Sequence, residues 1–441
     1  MSEAVQKDAP FWLTGNFAPT FTEHTETTLK VTGHIPPELN GRYLRNGANP
    51  ETGESVHWFA GNGMIHGIEL ANGKANWYRN RYVRSPILKD SGADGTEDPR
   101  TQSLANTHII SHAGKILALE ELHWPYELSP ELETIGAYNY NGKLETGMTA
   151  HPKVCPETGE LLFFAYGMVP PYLTYHRASA TGELIQSEVI EVKGATMVHD
   201  FNITRNHVIF MDLPVVWNLE KAAEGGLPLE WSDDYGARLG VMPRDGSNAD
   251  VVWYDIEPCY VYHPMNAYES GDEIVLDVCR MAHHMRAGDG DASPHLHRWT
   301  INTATNRVSE EQLGEHVVEF PRIADSRVGL KHRFGYTADF NFTSPAVVAA
   351  AFRKYDFTTG ESTAHSLGAG RQGSEPAFVA AADGHNEDDG YLMSFVTDSA
   401  TQTTELLILD ASNMAAEPVA RVHLPVLVPA GFHGSWIPDP V

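Results

Sequence analysis

The chain has 441 residues, enough for two or three ordinary domains or for one large all-β domain. Its 31 Lys and Arg against 58 Asp and Glu give a formal charge of −27, which argues against binding to nucleic acid or docking on anionic lipid and for a strongly solvated acidic surface. Three cysteines, Cys155, Cys259 and Cys279, show no CxxC spacing, so a disulfide framework is not expected and a reducing cytoplasm fits.

In chain order, the N-terminal MSEAVQKDAPFWLTGNF lacks a basic segment followed by an apolar core and does not read as a signal peptide. No run approaches 18 apolar residues, so no segment is expected to span a membrane. Residues 67–83, 156–167, 180–192, 297–313 and 354–367 each pair strand-like halves across an NG, TG or similar turn, the pattern of a hairpin. Spread along the whole chain, they predict stacked antiparallel meanders, as in a propeller or sandwich, without a strict sequence repeat. Residues 85–102 read as a long loop and short helical pieces are expected near Ser129. The main helical candidate is NLEKAAEGG, 218–226, and GVMPRDGSNAD, 240–250, reads as a surface turn. It leads into 251–269, an alternating apolar strand expected to end at His263, where Pro264 limits backbone freedom. Residues 280–297 carry His283, His284, His295 and His297, but their Gly and Asp content predicts a mobile surface loop rather than a metal cluster.

A strand end is a good mount for a metal ligand, and three other histidines share such a setting: His151, His199 and His433. They lie far apart in sequence, so only a closed fold can bring them to His263. Metal-bound histidines usually donate the other ring N–H to a carboxylate or carbonyl. Glu121, Glu319 and Glu375 sit in apolar, strand-like contexts where a solvent-facing charge is out of place. Taken singly, each histidine or glutamate is explained as well by a satisfied core residue or a salt bridge. There is no glycine-rich phosphate loop, GxSxG elbow or CxxC knuckle, and GDGDAS lacks the spacing of a calcium loop.

The ordered set GRYLRNGANP (41–50), HWFAGNGMIHGI (57–68), ANTHIISHAGKILALEE (105–121), TAHPKVCPETGEL, MVHDFNIT, YHPMNAYE, EFPRI, SEPAFV, EDDGYLMSFVTD (387–398) and HLPVLVPAGFHGSW resembles the carotenoid cleavage oxygenase family almost end to end. Members of that family are non-haem iron enzymes that split carbon–carbon double bonds with O2. The resemblance implies one domain over 1–441, a seven-bladed β-propeller with a loop and helix dome covering the iron-containing face. It further implies that His151, His199, His263 and His433 ligate Fe(2+), and that Glu121, Glu319 and Glu375 hold three of them. Thr107 matches a threonine whose methyl lies beside an open coordination position. Imidazole suits several metals, so the choice of iron comes from the resemblance.

The implied reaction is cleavage of a conjugated double bond of a carotenoid or apocarotenoid to two carbonyl products. The implied partners are an apolar polyene and O2, with no nucleic acid and no obligate protein partner. Residues 167–175 and 213–231 are candidates for an apolar tunnel mouth, so the expected location is cytoplasmic, with room for a peripheral membrane contact. Phenolic stilbenes are the competing substrate class. In stilbene-cleaving relatives, a lysine directly before the first of the glutamates and a tyrosine from an upstream loop grip the phenol oxygen. Here Glu120 occupies the lysine position, and 85–104 contain no tyrosine. A third reading is an isomerohydrolase or a non-catalytic propeller that keeps the metal site; the insertions and membrane-associated cysteines of the animal isomerase branch are not seen in this chain.

Overall fold

The computed structural model describes residues 9–440 except 90, 91, 94, 224–226, 289, 290 and 341–347. The expected hairpins are present. Gly63–Ala71 and Lys74–Tyr82 meet across Asn72 and Gly73, whose φ of 51° and 73° are what a two-residue hairpin turn requires. The other four turns join Lys153–Val154 to Leu161–Tyr166, Leu173–Ala178 to Leu184–Val189, His295–Asn302 to Arg307–Arg322, and Ala349–Asp356 to Glu361–Ser366.

The chain divides into two compact units, one of Met1–Glu120, Pro125–Tyr138 and Tyr336–Val441, the other of Glu121–Trp124 and Asn139–Gly335. The second unit holds three antiparallel meanders. They run from Lys153–Val154 to Leu184–Val189, from Asn202–Ile203 to Val252–Ile256, and from Tyr260–Ser270 to Arg307–Arg322. In the first of these, Leu161–Tyr166 is buried at all six positions, while the outer strand Leu184–Val189 alternates between covered and exposed. A strand with both faces covered reads as a continuous apolar run, and an outer strand as an alternating one. Trp299, Tyr260, Phe201 and Phe210 are fully buried in this unit's core. Each such side chain stabilises by about 1.5–3 kcal/mol through apolar burial.

The first unit carries the remaining meanders, and in two of them the chain's ends complete the sheet. Gly434–Pro438 pairs with Gly41–Ala48, and Lys30–Gly33 pairs with Ala420–His423. Its core includes Tyr43, Tyr78, Phe395 and Leu406.

Five expectations need correction, the first being the surface turn over 240–250, whose first four residues belong to the largely buried strand Ala237–Pro243. The stretch 251–269 is not one strand: Val252–Ile256 and Tyr260–Ser270 are separated around Pro258, which has no N–H for a ladder. Near Ser129 there is a turn in place of helix, closed by Ser129 N–H on the Glu133 carbonyl. The 280–297 loop shrinks to 282–294, because Glu273–Met281 and His295–Asn302 continue pairing from both sides. The helix expected over 218–226 is Leu219–Ala223, and 224–226 lie outside the described residues.

The segment that leads to His151 passes very close to Leu122, next to Glu121. A Cβ at Gly147 would lie 2.4 Å from the Leu122 carbonyl oxygen, and Met148 N–H donates to the His123 carbonyl at 3.1 Å. Gly147→Ala is therefore expected to cost about 1–3 kcal/mol, read as a lowered midpoint in chemical denaturation. An unchanged midpoint would show that this approach is not tight in solution.

Candidate metal centre

Three of the four histidines stand just before the first strand of a meander. His151 lies two residues ahead of Lys153–Val154, His199 three ahead of Asn202–Ile203, and His433 directly ahead of Gly434–Pro438. His263 differs from the expected strand end, since it lies within Tyr260–Ser270. Val261 pairs with Arg280 but Pro264 with Val278, so three steps along one strand match two along the other. That extra residue is a β-bulge, a device that re-aims a side chain, and Pro264 fits it by having no N–H to leave unpaired.

Within the second unit, the ring centroids of His151 and His199 are 4.5 Å apart, and each lies 5.0 Å from that of His263. His199 Nε2 and His263 Nε2 face each other at 3.2 Å. The candidate ligand atoms of His151, His199, His263 and His433 all lie within 4.8 Å of one another, and all four residues are buried. Among the described residues this is the one group so arranged.

The other ring nitrogens meet carboxylates. His263 Nδ1 donates to Glu319 Oε2 at 2.6 Å. His433 Nδ1 donates to Glu375 Oε1 at 3.1 Å, while Glu375 Oε2 accepts from Gly434 N–H at 2.9 Å. His199 Nδ1 contacts Glu121, which also accepts from the Tyr166 hydroxyl. Burial would push the His199 imidazolium down, but the Glu121 charge and hydrogen bond carry its pKa above the ordinary value. With three Nδ1–H groups donating outward, the free lone pairs are on Nε2. Two such lone pairs facing at 3.2 Å repel unless a cation lies with them. The buried, all-imidazole donor set therefore fits a divalent transition metal.

Of the three glutamates, Glu319 is in the strand Arg307–Arg322, but Glu121 follows Lys115–Leu119 and Glu375 precedes Ala377–Ala380. They occupy the loops at strand ends, where backbone geometry is free to aim a short carboxylate. Thr107 anchors the His433 segment: its carbonyl accepts from His433 N–H at 3.1 Å, and its hydroxyl donates to Asn106 Oδ1 at 2.9 Å. Asn46 grips the same segment, its N–H on the His433 carbonyl and its carbonyl on Phe432 N–H.

One residue escaped the sequence reading. Asp200 is buried, with Oδ2 3.6 Å from His151 Nδ1 and Oδ1 2.8 Å from Lys153 Nζ. Burial pushes its carboxyl pKa up, and the Lys153 ammonium opposes this. His151 thus faces a carboxylate already shared with a lysine, unlike its three counterparts. The signal was available in MVHDF, where an acid directly follows His199. The histidine-rich loop is also more structured than expected. His284 is buried, its Nδ1 2.9 Å from Asp291 Oδ1 and its Nε2 accepting from the Tyr262 hydroxyl at 2.6 Å. The Tyr262 ring in turn meets His199 edge-on, with centroids 4.8 Å apart.

A family model described as retinal pigment epithelial membrane protein matches residues 17–438. A carotenoid cleavage oxygenase of Mycobacterium tuberculosis is 40% identical over 99% of this chain and 99% of its own. A carotenoid 9,10(9',10')-cleavage dioxygenase of Crocus sativus is 34% identical over 97% of this chain and 89% of its own. The crystal structure of a Pseudomonas brassicacearum lignostilbene dioxygenase superposes with a TM-score of 0.90 at 28% identity, covering 98% of this chain and 99% of that one.

Replacing Glu319 or Glu375 by glutamine keeps the shape but removes the charge that polarises the histidine. Metal retention is expected to fall roughly 10–100-fold with the fold intact, measured as metal per chain after dialysis beside a circular dichroism spectrum. Glu120→Gln is expected to leave metal content near that of the parent. Full retention in both glutamine variants would contradict the assignment of these carboxylates.

Proposed function

The chain belongs to the retinal pigment epithelial membrane protein family, and from that membership we propose a non-haem iron(II) dioxygenase that cleaves a conjugated double bond of a carotenoid or apocarotenoid with O2 to give two carbonyl products. The observation that carries the metal assignment is the buried set of His151, His199, His263 and His433, with three of their Nδ1 atoms on carboxylates. Iron, when bound, supplies the redox change that ground-state O2 needs to react with a closed-shell alkene, which zinc lacks.

The rest of the work falls to the chain. His151, His199, His263 and His433 would hold the metal as neutral imidazoles without neutralising its charge, and Glu121, Glu319 and Glu375 fix the tautomer and direction of the last three. Thr107 sets the backbone of His433, and we place its side chain on the side from which O2 and substrate would approach a bound metal. No side chain has to act as acid or base. The protein contributes ligand geometry and a dry, apolar environment that decides which double bond is presented.

A linear polyene is favoured over a hydroxystilbene. Glu120, half-buried directly before Glu121, stands at the position that matches the phenol-gripping lysine of stilbene-cleaving relatives, and 85–104 contain no tyrosine. An apolar polyene needs neither group. For a bilayer-dissolved substrate, the exposed Met168 and Val169 fit an apolar mouth in the 167–175 segment. No helix among the described residues is long and apolar enough to cross a membrane, so contact with a bilayer would be peripheral. We place the enzyme in the cytoplasm, where its three buried, free cysteines are stable as thiols.

Incubated with an apocarotenal and with resveratrol, the iron-loaded protein is expected to release shortened aldehydes from the first faster than hydroxybenzaldehydes from the second, read by mass spectrometry. The reverse order would assign it to stilbenes. Stripping the metal with a chelator should abolish turnover, with Fe(2+) restoring it and Zn(2+) failing to. Recovery with zinc would overturn the redox role.

A further inference from the structure

Tyr260 and Tyr262 stand two residues apart on the strand Tyr260–Ser270, and their rings meet at 82° with centroids 5.0 Å apart. Both reach the segment that carries His199. The Tyr260 hydroxyl donates to the Met197 carbonyl at 3.3 Å, and the Tyr262 ring meets the His199 ring at 88°, with centroids 4.8 Å apart.

One side chain from outside the ligand set holds this pair. His284 is buried, stacks on Tyr260 with centroids 5.2 Å apart, and accepts at Nε2 from the Tyr262 hydroxyl at 2.6 Å. Its Nδ1 lies 2.9 Å from Asp291 Oδ1, which places the ring proton on Nδ1 and leaves Nε2 as the acceptor. The His284 hydrogen bond is the largest cause that holds the Asp291 carboxyl below its ordinary range. Asp291 Oδ1 also accepts from Met285 N–H at 2.8 Å. Met285 has φ of 54°, a conformation such a side chain seldom enters, so the carboxylate closes a strained turn directly after His284.

His199 needs support of this kind. Glu121 meets it at Nδ1, which selects the tautomer but leaves the ring free to swing about that one contact. A second ring set against it at a right angle resists the swing, and aromatic pairs favour that arrangement.

Resting on the metal assignment above, we propose that His284, held by Asp291, is a positioning residue for the metal centre: it fixes Tyr262, whose ring sets the angle at which His199 presents Nε2. The order of action is Asp291, His284, Tyr262, His199, and neither Asp291 nor His284 touches the metal.

The test compares wild type, His284→Phe, Tyr262→Phe, their double variant and His284→Gln. The readouts are the rate of Fe(2+) loss to a chelator, the visible d–d spectrum of Co(2+)-loaded protein, and the melting temperature of the metal-free protein. His284→Phe keeps the stacking on Tyr260 but removes the acceptor, and Tyr262→Phe keeps the ring but removes the donor. Each is expected to speed metal loss roughly 10-fold and to shift the Co(2+) bands, with the metal-free protein melting within a few degrees of wild type. The double variant is expected to lose metal no faster than either single one, because both break the same link. His284→Gln, whose amide oxygen can accept in place of Nε2, is expected to recover most of the wild-type rate and spectrum. Wild-type rates and spectra in both single variants would overturn the proposal, as would additive losses in the double. Faster loss matched by a falling metal-free melting temperature would also overturn it, by making His284 a general support of the fold. Wild type that takes up neither Fe(2+) nor Co(2+) would instead overturn the metal assignment beneath it.

Discussion

Four imidazole rings can share one cation only if each presents an unprotonated nitrogen to one point, and that demand shapes the surroundings of the four histidines. A free imidazole chooses between two tautomers and many ring angles. Carboxylates, buried for Glu319 and Glu375 and half-buried for Glu121, remove both freedoms for His263, His433 and His199 by accepting at Nδ1. Buried carboxylates are themselves costly unless hydrogen-bonded. Each is therefore given a further donor: Tyr166 for Glu121, Phe320 N–H for Glu319 and Gly434 N–H for Glu375.

The chain meets this demand with a repeated architecture, the seven-bladed β-propeller of its family. Its meanders start on short strands, and the residues just before those strands are where His151, His199 and His433 stand. A position ahead of a strand is fixed by the ladder that follows it yet free of the ladder's alternation. His263 reaches the same end by a bulge. The close approach at Gly147 and the grip of Asn46 and Thr107 on the His433 segment set the backbone on which these rings depend.

Much of this was legible in the sequence. The hairpins were readable because Asn-Gly and Thr-Gly turns state their own geometry, and the four histidines because family motifs run nearly end to end. What stayed hidden depends on long-range pairing. The bulge at His263 follows from its register against Glu273–Met281, which no local pattern encodes. His295 and His297 read as loop because glycine and aspartate precede them, yet their partners Arg280 and Val278 draw them into a strand. Glu121 and Glu375 read as strand residues because apolar neighbours flank them, while the strands stop short. Asp200 was passed over because a carboxylate next to a histidine in sequence normally points away from it. Here it faces a different histidine, His151, together with Lys153.

The central claim is that carboxylates surround the metal without touching it. X-ray absorption at the iron edge of the iron-loaded protein tests this most directly. The account predicts a nitrogen shell with the multiple-scattering pattern of four imidazoles, unaltered in Glu319→Gln apart from occupancy. A carboxylate oxygen in the first shell, or fewer than four imidazoles, would contradict it.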